Sequence, residues 1–226
     1  MKRKQGFTLA EILITLAIIG LISALTLPAI QANTAAARNR AALKKAMATL
    51  SQAAENNLVQ NKWNYALISV AHVEHNEGRD QNASQVESVF ALLNSNLSGE
   101  THLGNISDGR PANGQYHYNG DVGSGAWWAA YQLSDGAIIG LNRHATYCTA
   151  EQRTAGNCIG FIDVNGMAGP HREITCEGGG KRYLWQDDQA TCTVERSTNA
   201  DIFPIVFYDN TIELASDAAK AFFNAR

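Results

Sequence analysis

The pattern in this 226-residue chain nearest to a metallohydrolase site is His72-Val-Glu74-His75, two imidazoles three residues apart around a carboxylate. A zinc helix of that kind needs His-Glu-x-x-His or its inverse, and neither spacing is present, so the segment reads as a surface polar cluster. Gly178-Gly179-Gly180-Lys181 has the look of a phosphate loop. Thr175 stands where its first glycine belongs and Arg182 where Ser or Thr would bind magnesium, which rejects an ATP site and leaves an exposed turn. No Gly-x-Ser-x-Gly nucleophile elbow occurs. Asp163 and Asn165 offer two oxygens to calcium, with Asp187 or Asp201 as more distant ligands, but the spaced carboxylates of an EF-hand loop are missing. A plain Asn165-Gly166 turn is the better reading, and no cofactor is expected. Trp127-Trp128 with Tyr131 has the size to bind a glycan or a partner, yet aromatics at a strand start read as core against a helix. The chain is therefore expected to be non-enzymatic.

Cys148, Cys158, Cys176 and Cys192 lack any Cys-x-x-Cys, so zinc is a poor reading. Of their three possible connectivities the sequential one, Cys148 to Cys158 and Cys176 to Cys192, is favoured because each bond closes a short loop near an expected hairpin. Each would stabilise the chain by about 2–4 kcal/mol. All four fall in a part of the chain expected to lie outside the cytoplasm, where oxidation is permitted.

That expectation comes from the N-terminus. Lys2, Arg3 and Lys4 precede Phe7 to Leu27, 21 residues whose one charge is Glu11. The hydrocarbon core of a bilayer needs about 20 helical residues, and the flanking cations hold their end in the cytoplasm. A secretory signal peptide cut near Ala32 is the plain alternative. Two features oppose it. Glu11 costs a few kcal/mol at about mid-membrane depth unless it is paired. The helical pattern also continues past the cut, with no Gly or Pro from Ala29 to Asn61 and with Leu43, Ala46, Met47, Leu50, Ala53, Ala54 and Leu58 along one stripe. Pro28 removes one ladder donor at the joint, so a bend or a loosened turn is expected there. Phe7 to Gln60, if wholly helical, extends roughly 80 Å, too long for a compact domain.

The string Gly6-Phe7-Thr8-Leu9-Ala10-Glu11-Ile12-Leu13-Ile14-Thr15-Leu16, behind a basic leader and ahead of Gly20 and Pro28, resembles the class III leader of bacterial type IV pilins and type II secretion pseudopilins. The resemblance covers about the first sixty residues. It implies cleavage between Gly6 and Phe7 by a prepilin peptidase of the inner membrane, with methylation of the new Phe7 amino group. It implies that Glu11 meets the Phe7 amine of a neighbouring subunit, and that Gly20 to Pro28 is where the helix loses regularity in the filament. The physics agrees, since two charges costly in an apolar bundle become tolerable when paired, and the pair sets an axial register.

The remainder is ordinary in bulk, with 45% hydrophobic and 17% charged residues and a net charge of −3. Neither disorder nor a polytopic membrane protein fits. Eleven of the 18 cations and 19 of the 21 acids fall in residues 61–226, a balance of −8, whereas Arg38, Arg40, Lys44 and Lys45 against Glu55 make residues 31–60 basic. An acidic head argues against general nucleic-acid binding. The basic helix can meet lipid phosphates before assembly and acidic head surface of neighbouring copies afterwards.

Asn82 to Leu93 reads as a short helix with Val86, Val89, Phe90 and Leu93 on one face. Residues 127–133 and 137–141 around Ser134-Asp135-Gly136 read as a hairpin, and Cys158 to Val164 as a further strand. Ile202 to Tyr208 and Thr211 to Leu214 around Asp209-Asn210 read as a last hairpin, with Pro204 putting its strand at an edge or bulge. The expected fold is α+β, an antiparallel sheet on the C-terminal half of a long N-terminal helix, which the pilin resemblance also implies. Its divisions are leader 1–6, membrane and filament-core helix 7–28, amphipathic continuation 29–62 and exported head 63–226. The turn Asp163-Val164-Asn165-Gly166 with Gly169-Pro170, and later Asp201-Ile202-Phe203, is similar to the tail of many pilin-like proteins of unassigned role. It departs from them in the Thr175–Asn199 insertion carrying Cys176 and Cys192, and in His171 where Asn is usual.

The expected function is a structural subunit of a type IV-like pilus, major or minor. Its partners are other pilin subunits, the prepilin peptidase, an inner-membrane assembly platform and, before assembly, the membrane itself. The alternatives are a secretion pseudopilin, a DNA-uptake pilin using Lys181 and Arg182, or a secreted binding domain or enzyme released by signal peptidase.

Overall fold

A computed structural model describes residues 8–69, 97, 101–106, 128–152, 157–176 and 192–225. The expected helix at 82–93, the His72 cluster, the Gly178–Arg182 turn, Trp127 and Asp187 lie outside them, as do Gly6 and Phe7.

Helix α1, Leu9–Asn61, runs unbroken for 53 residues, about 80 Å. The loosened turn expected at Pro28 is absent: the helix continues through Gly20 and Pro28 in the single subunit. Proline removes one donor, and the regular turns on both sides of it outweigh that local loss because helix propagation is cooperative. Lys62 ends α1 in the left-handed conformation, its N–H donating to Leu58 O over 3.0 Å. A 3-10 turn, Tyr65–Leu67, follows.

Six strands then form an antiparallel meander in chain order: β1 Thr101–Ile106, β2 Trp128–Gln132, β3 Ile138–Asn142, β4 Ile159–Asp163, β5 Ile202–Tyr208 and β6 Thr211–Leu214. Turn chemistry sets the registers. Between β2 and β3, Asp135 Oδ1 accepts from Ala137 N at 3.2 Å and Gly136 supplies φ +90°, closing the hairpin with Gln132 opposite Ile138. Helix α2, Asp217–Asn224, was not foreseen from the sequence. It is capped by Ser216 Oγ accepting from Ala219 N at 3.1 Å.

The sheet lays one face on α1. Leu43, Ala46, Leu50 and Ala54 of the helix meet Ala129, Tyr131, Ile139, Leu141, Ile162, Phe203, Ile205 and Phe207 of the sheet. Trp128 is on the other face, beside Ile138, Ile159, Phe161 and Ile202, with its ring edge-on to Phe161 at 5.5 Å. Trp128 is therefore core, but not against the helix as expected. Alternation sends Trp128 and Tyr131 to opposite faces, and both faces are buried here.

The edge expected at Pro204 also needs correction, because β5 lies between β4 and β6. Proline is tolerated there for a local reason. On that side of β5, Ile202 bonds the 172–174 segment and β6 ends at Leu214 opposite Ile205. Pro204 sits in the gap between them, and its carbonyl accepts from Ala215 N at 2.9 Å.

Polar ties fix the direction of the sheet along the helix. Asn39, buried on α1, donates to Ala200 O at 2.8 Å just before β5, while Tyr65 N donates to Asp209 O at 2.6 Å just after it. β5 thus starts beside Asn39, at the near end of the head next to the apolar half of α1, and finishes at the far end beside Tyr65. Lys45 Nζ lies 2.9 Å from Asp135 Oδ2 at the near end. Partial burial pushes the Asp135 carboxyl up, but Lys45 and the Ala137 N–H outweigh it and hold it below its usual range.

Candidate assembly site

From Thr8 to Ala35, α1 buries no residue, and Leu9, Ile12, Leu13, Ile14, Leu16, Ile18, Ile19, Leu21, Ile22, Leu25, Leu27 and Ile30 are all exposed. The helix is long and apolar enough to cross a membrane. So large an unburied apolar surface requires lipid or other copies of the helix around it.

Glu11 sits in the first turn of that surface. Thr8 caps the helix: Glu11 N donates to Thr8 Oγ1 at 3.3 Å, while Glu11 Oε2 accepts from Thr8 N at 2.8 Å and from Thr8 Oγ1 at 2.9 Å. Two donors of the first turn and one carboxylate oxygen are satisfied reciprocally, a capping box. The sequence contains its signature, Thr8-Leu9-Ala10-Glu11, which the reading of Glu11 as an intermolecular partner passed over. Thr8 fixes where the carboxylate points, one residue from the expected new terminus at Phe7. Gly20 leaves a side-chain-free notch facing open space on the same exposed segment.

The head carries a second cluster, which brings together Asp163, Asn165 and Asp201 of the calcium reading. Asp163 and Asp201 are buried, and each accepts donors from the chain around it. Asp163 Oδ1 accepts from Asn165 N at 3.0 Å, and its Oδ2 lies 2.7 Å from His171 Nδ1. Asp201 Oδ2 accepts from Asn165 Nδ2 at 3.1 Å and His171 N at 3.0 Å, and its Oδ1 accepts from Arg172 N. All four carboxylate oxygens accept from N–H groups or meet His171, so the cluster ties the 164–172 loop to the start of β5. Among the described residues no group of three or more His, Cys, Asp or Glu is disposed to hold a metal. Burial pushes the Asp163 carboxyl up to about 6, with the charge of Asp201 adding to it and His171 opposing it.

The cysteines pair sequentially. Cys148 is bonded to Cys158 and Cys176 to Cys192, with Cα separations of 5.6 and 5.3 Å. The first bond lies in the core at the far end of the head, where Cys148 N donates to Tyr65 O.

A basic leader, a capped apolar helix bearing one carboxylate, and an antiparallel sheet on the second half of that helix make the α+β arrangement of type IV pilins. The family described as the prokaryotic N-terminal methylation motif matches residues 1–27, so the chain carries the class III prepilin leader of type IV pilins and pseudopilins. No curated protein and no solved structure matches the chain. The leader implies processing by a prepilin peptidase and assembly into a pilus-like polymer, and with the apolar helix it fits anchoring in the inner membrane.

Proposed function

We propose that this chain is a non-enzymatic pilin subunit that is cleaved between Gly6 and Phe7, held in the inner membrane by α1, and then polymerised into a type IV-like filament. Its α1 helices form the filament core and its head the surface. The observation that carries this reading is the junction of the prepilin leader with a 53-residue helix whose first half buries nothing. Glu11 supplies the register. Its Oε2 is held by Thr8, and the carboxylate takes up the Phe7 ammonium of the next copy as the two helices leave lipid for the bundle. The head provides surface chemistry, not catalysis.

Replacing Glu11 tests the proposal. Glu11→Ala is expected to leave cleavage and membrane insertion intact and to lower the sheared-filament yield at least tenfold. Filaments in normal amount from that variant would contradict the role of Glu11. Wild-type chain that is cleaved at Gly6 yet confined to the cell envelope would move the assignment to a secretion pseudopilin.

A further inference from the structure

The only acids of α1 are Glu11 and Glu55, and the 26 residues between Glu11 and Arg38 carry no charge. That stretch is helical throughout, so Glu11 and Arg38 stand about 40 Å apart. A bilayer with both of its headgroup layers is about 40–45 Å thick. Before it is paired, Glu11 costs least at the headgroup level facing the cytoplasm, which carries Arg38 to the headgroup level of the opposite leaflet. The helix surface changes at the matching height. Ile30 is the last large apolar side chain exposed before the head, Gln31, Asn33 and Thr34 follow it, and Ala36 is the first residue that the head buries.

The head sorts the four cations at the start of its share of α1. Arg40 turns inward, its Nε donating to Phe222 O at 2.8 Å and its guanidinium 4.7 Å from the Phe222 ring centroid. Lys45 pairs with Asp135, and Lys44 Nζ lies 5.3 Å from the Phe223 ring centroid. Arg38 is exposed and bonds none of the described residues. Its Cα–Cβ bond leans toward the helix N-terminus, and so toward the apolar segment. The other acids at the near end are engaged or flanked by cations. Asp217 lies 3.8 Å from Lys220, Glu195 accepts from Ser197 Oγ at 3.2 Å and is followed by Arg196, Glu173 is preceded by Arg172, and Asp163 and Asp201 are buried.

We infer that in the unassembled subunit Arg38 binds lipid phosphates of the leaflet facing away from the cytoplasm, and so seats the near end of the head on the membrane surface. This rests on the membrane anchoring in the proposed function and adds the residue that sets how far the helix sinks. A guanidinium suits the task, because its planar fork of donors takes two phosphate oxygens at once and its charge is permanent. Arg40 and Lys45 are spent on holding the head to α1, which leaves Arg38 as the cation of this group with no task inside the chain.

The test uses the full-length chain in vesicles of phosphatidylcholine, with and without phosphatidylglycerol, and a membrane-impermeant maleimide. Asn33→Cys is expected to react at least tenfold more slowly than Ala48→Cys, although both positions are exposed on α1. Adding Arg38→Glu to Asn33→Cys is expected to raise its rate at least threefold in vesicles containing phosphatidylglycerol, less in phosphatidylcholine alone, and not at all in neutral detergent micelles. Arg38→Lys is expected to keep most of the protection. Equal rates at positions 33 and 48 overturn the seating of the head on the membrane. A rate in vesicles indifferent to Arg38→Glu, or one shifted equally in micelles, overturns the role of Arg38 alone. Chain that alkaline carbonate washes from the vesicles overturns the membrane anchoring and this inference with it.

Discussion

Asp163 and Asp201 show what single residues contribute to this head. A carboxyl that titrates near 6 instead of its ordinary 3.8 binds a proton in the folded chain that the unfolded chain has released. The stability contributed by that proton is fully present below about pH 3.8 and is lost as pH rises through 6, amounting to about 3 kcal/mol at about 1.4 kcal/mol per pH unit. Asp163→Asn is therefore expected to gain on the wild type as pH rises from 4 to 7, measured as urea midpoints of detergent-solubilised protein. Parallel midpoints across that range would contradict the burial account. Asp201→Ala should cost more, about 3–5 kcal/mol, because it strands the N–H groups of His171 and Arg172 and the Asn165 amide beside buried Asp163. The sequence shows Asp163, Asn165, His171 and Asp201 as separate turn residues. Their meeting depends on the ends of β4 and β5 lying side by side with the 172–174 segment against β5, which local pattern does not encode. Asn39 and Asn57 were hidden for a similar reason: each is a polar residue on a helix stripe, buried because it bonds Ala200 O and Trp63 O respectively.

At the scale of elements, what the sequence revealed follows from where turn chemistry is strong. Ser134-Asp135-Gly136 and Asp209-Asn210 placed both hairpins because each turn has a local cause, an Asx bond with Gly136 at φ +90° and Asp209 at φ +48°. The stripe from Leu43 to Ala54 placed the sheet-facing side of α1 by period alone. Helix α2 was not read, since eight residues give little periodicity, although Ser216 and Asp217 mark its start. Trp128 was put on the wrong face because a sheet buried on both sides offers no polar face to orient the alternation. That two-sided burial also makes the glycines of β3 and β4 packing residues. A Cβ at Gly140 would stand 2.2 Å from the Phe161 ring, which is itself wedged on Trp128. Gly140→Ala is expected to destabilise the head by about 1–3 kcal/mol in chemical denaturation, and a neutral result would show that the Phe161 ring moves aside freely. Leu50→Ala, in the stripe, should cost about 2–5 kcal/mol by the cavity it leaves under the sheet.

For the whole molecule, the division of labour lies along α1. Its first half exposes apolar surface that is stable only in lipid or among other helices, and its second half is the spine on which the sheet folds. The leader was legible because its cations and Gly6-Phe7 stand directly before a membrane-length apolar run, a pattern carried by local sequence alone. The direction of the sheet along the helix was not legible, since Asn39 and Tyr65 fix it only in three dimensions. The central claim is that the mature chain begins at Phe7 and assembles through α1. Intact mass and N-terminal sequencing of the protein recovered from sheared surface filaments and from membranes test it directly. The account predicts a chain starting at N-methylated Phe7 in the filament fraction, whereas a soluble product starting near Asn33 and free of the apolar helix would contradict it.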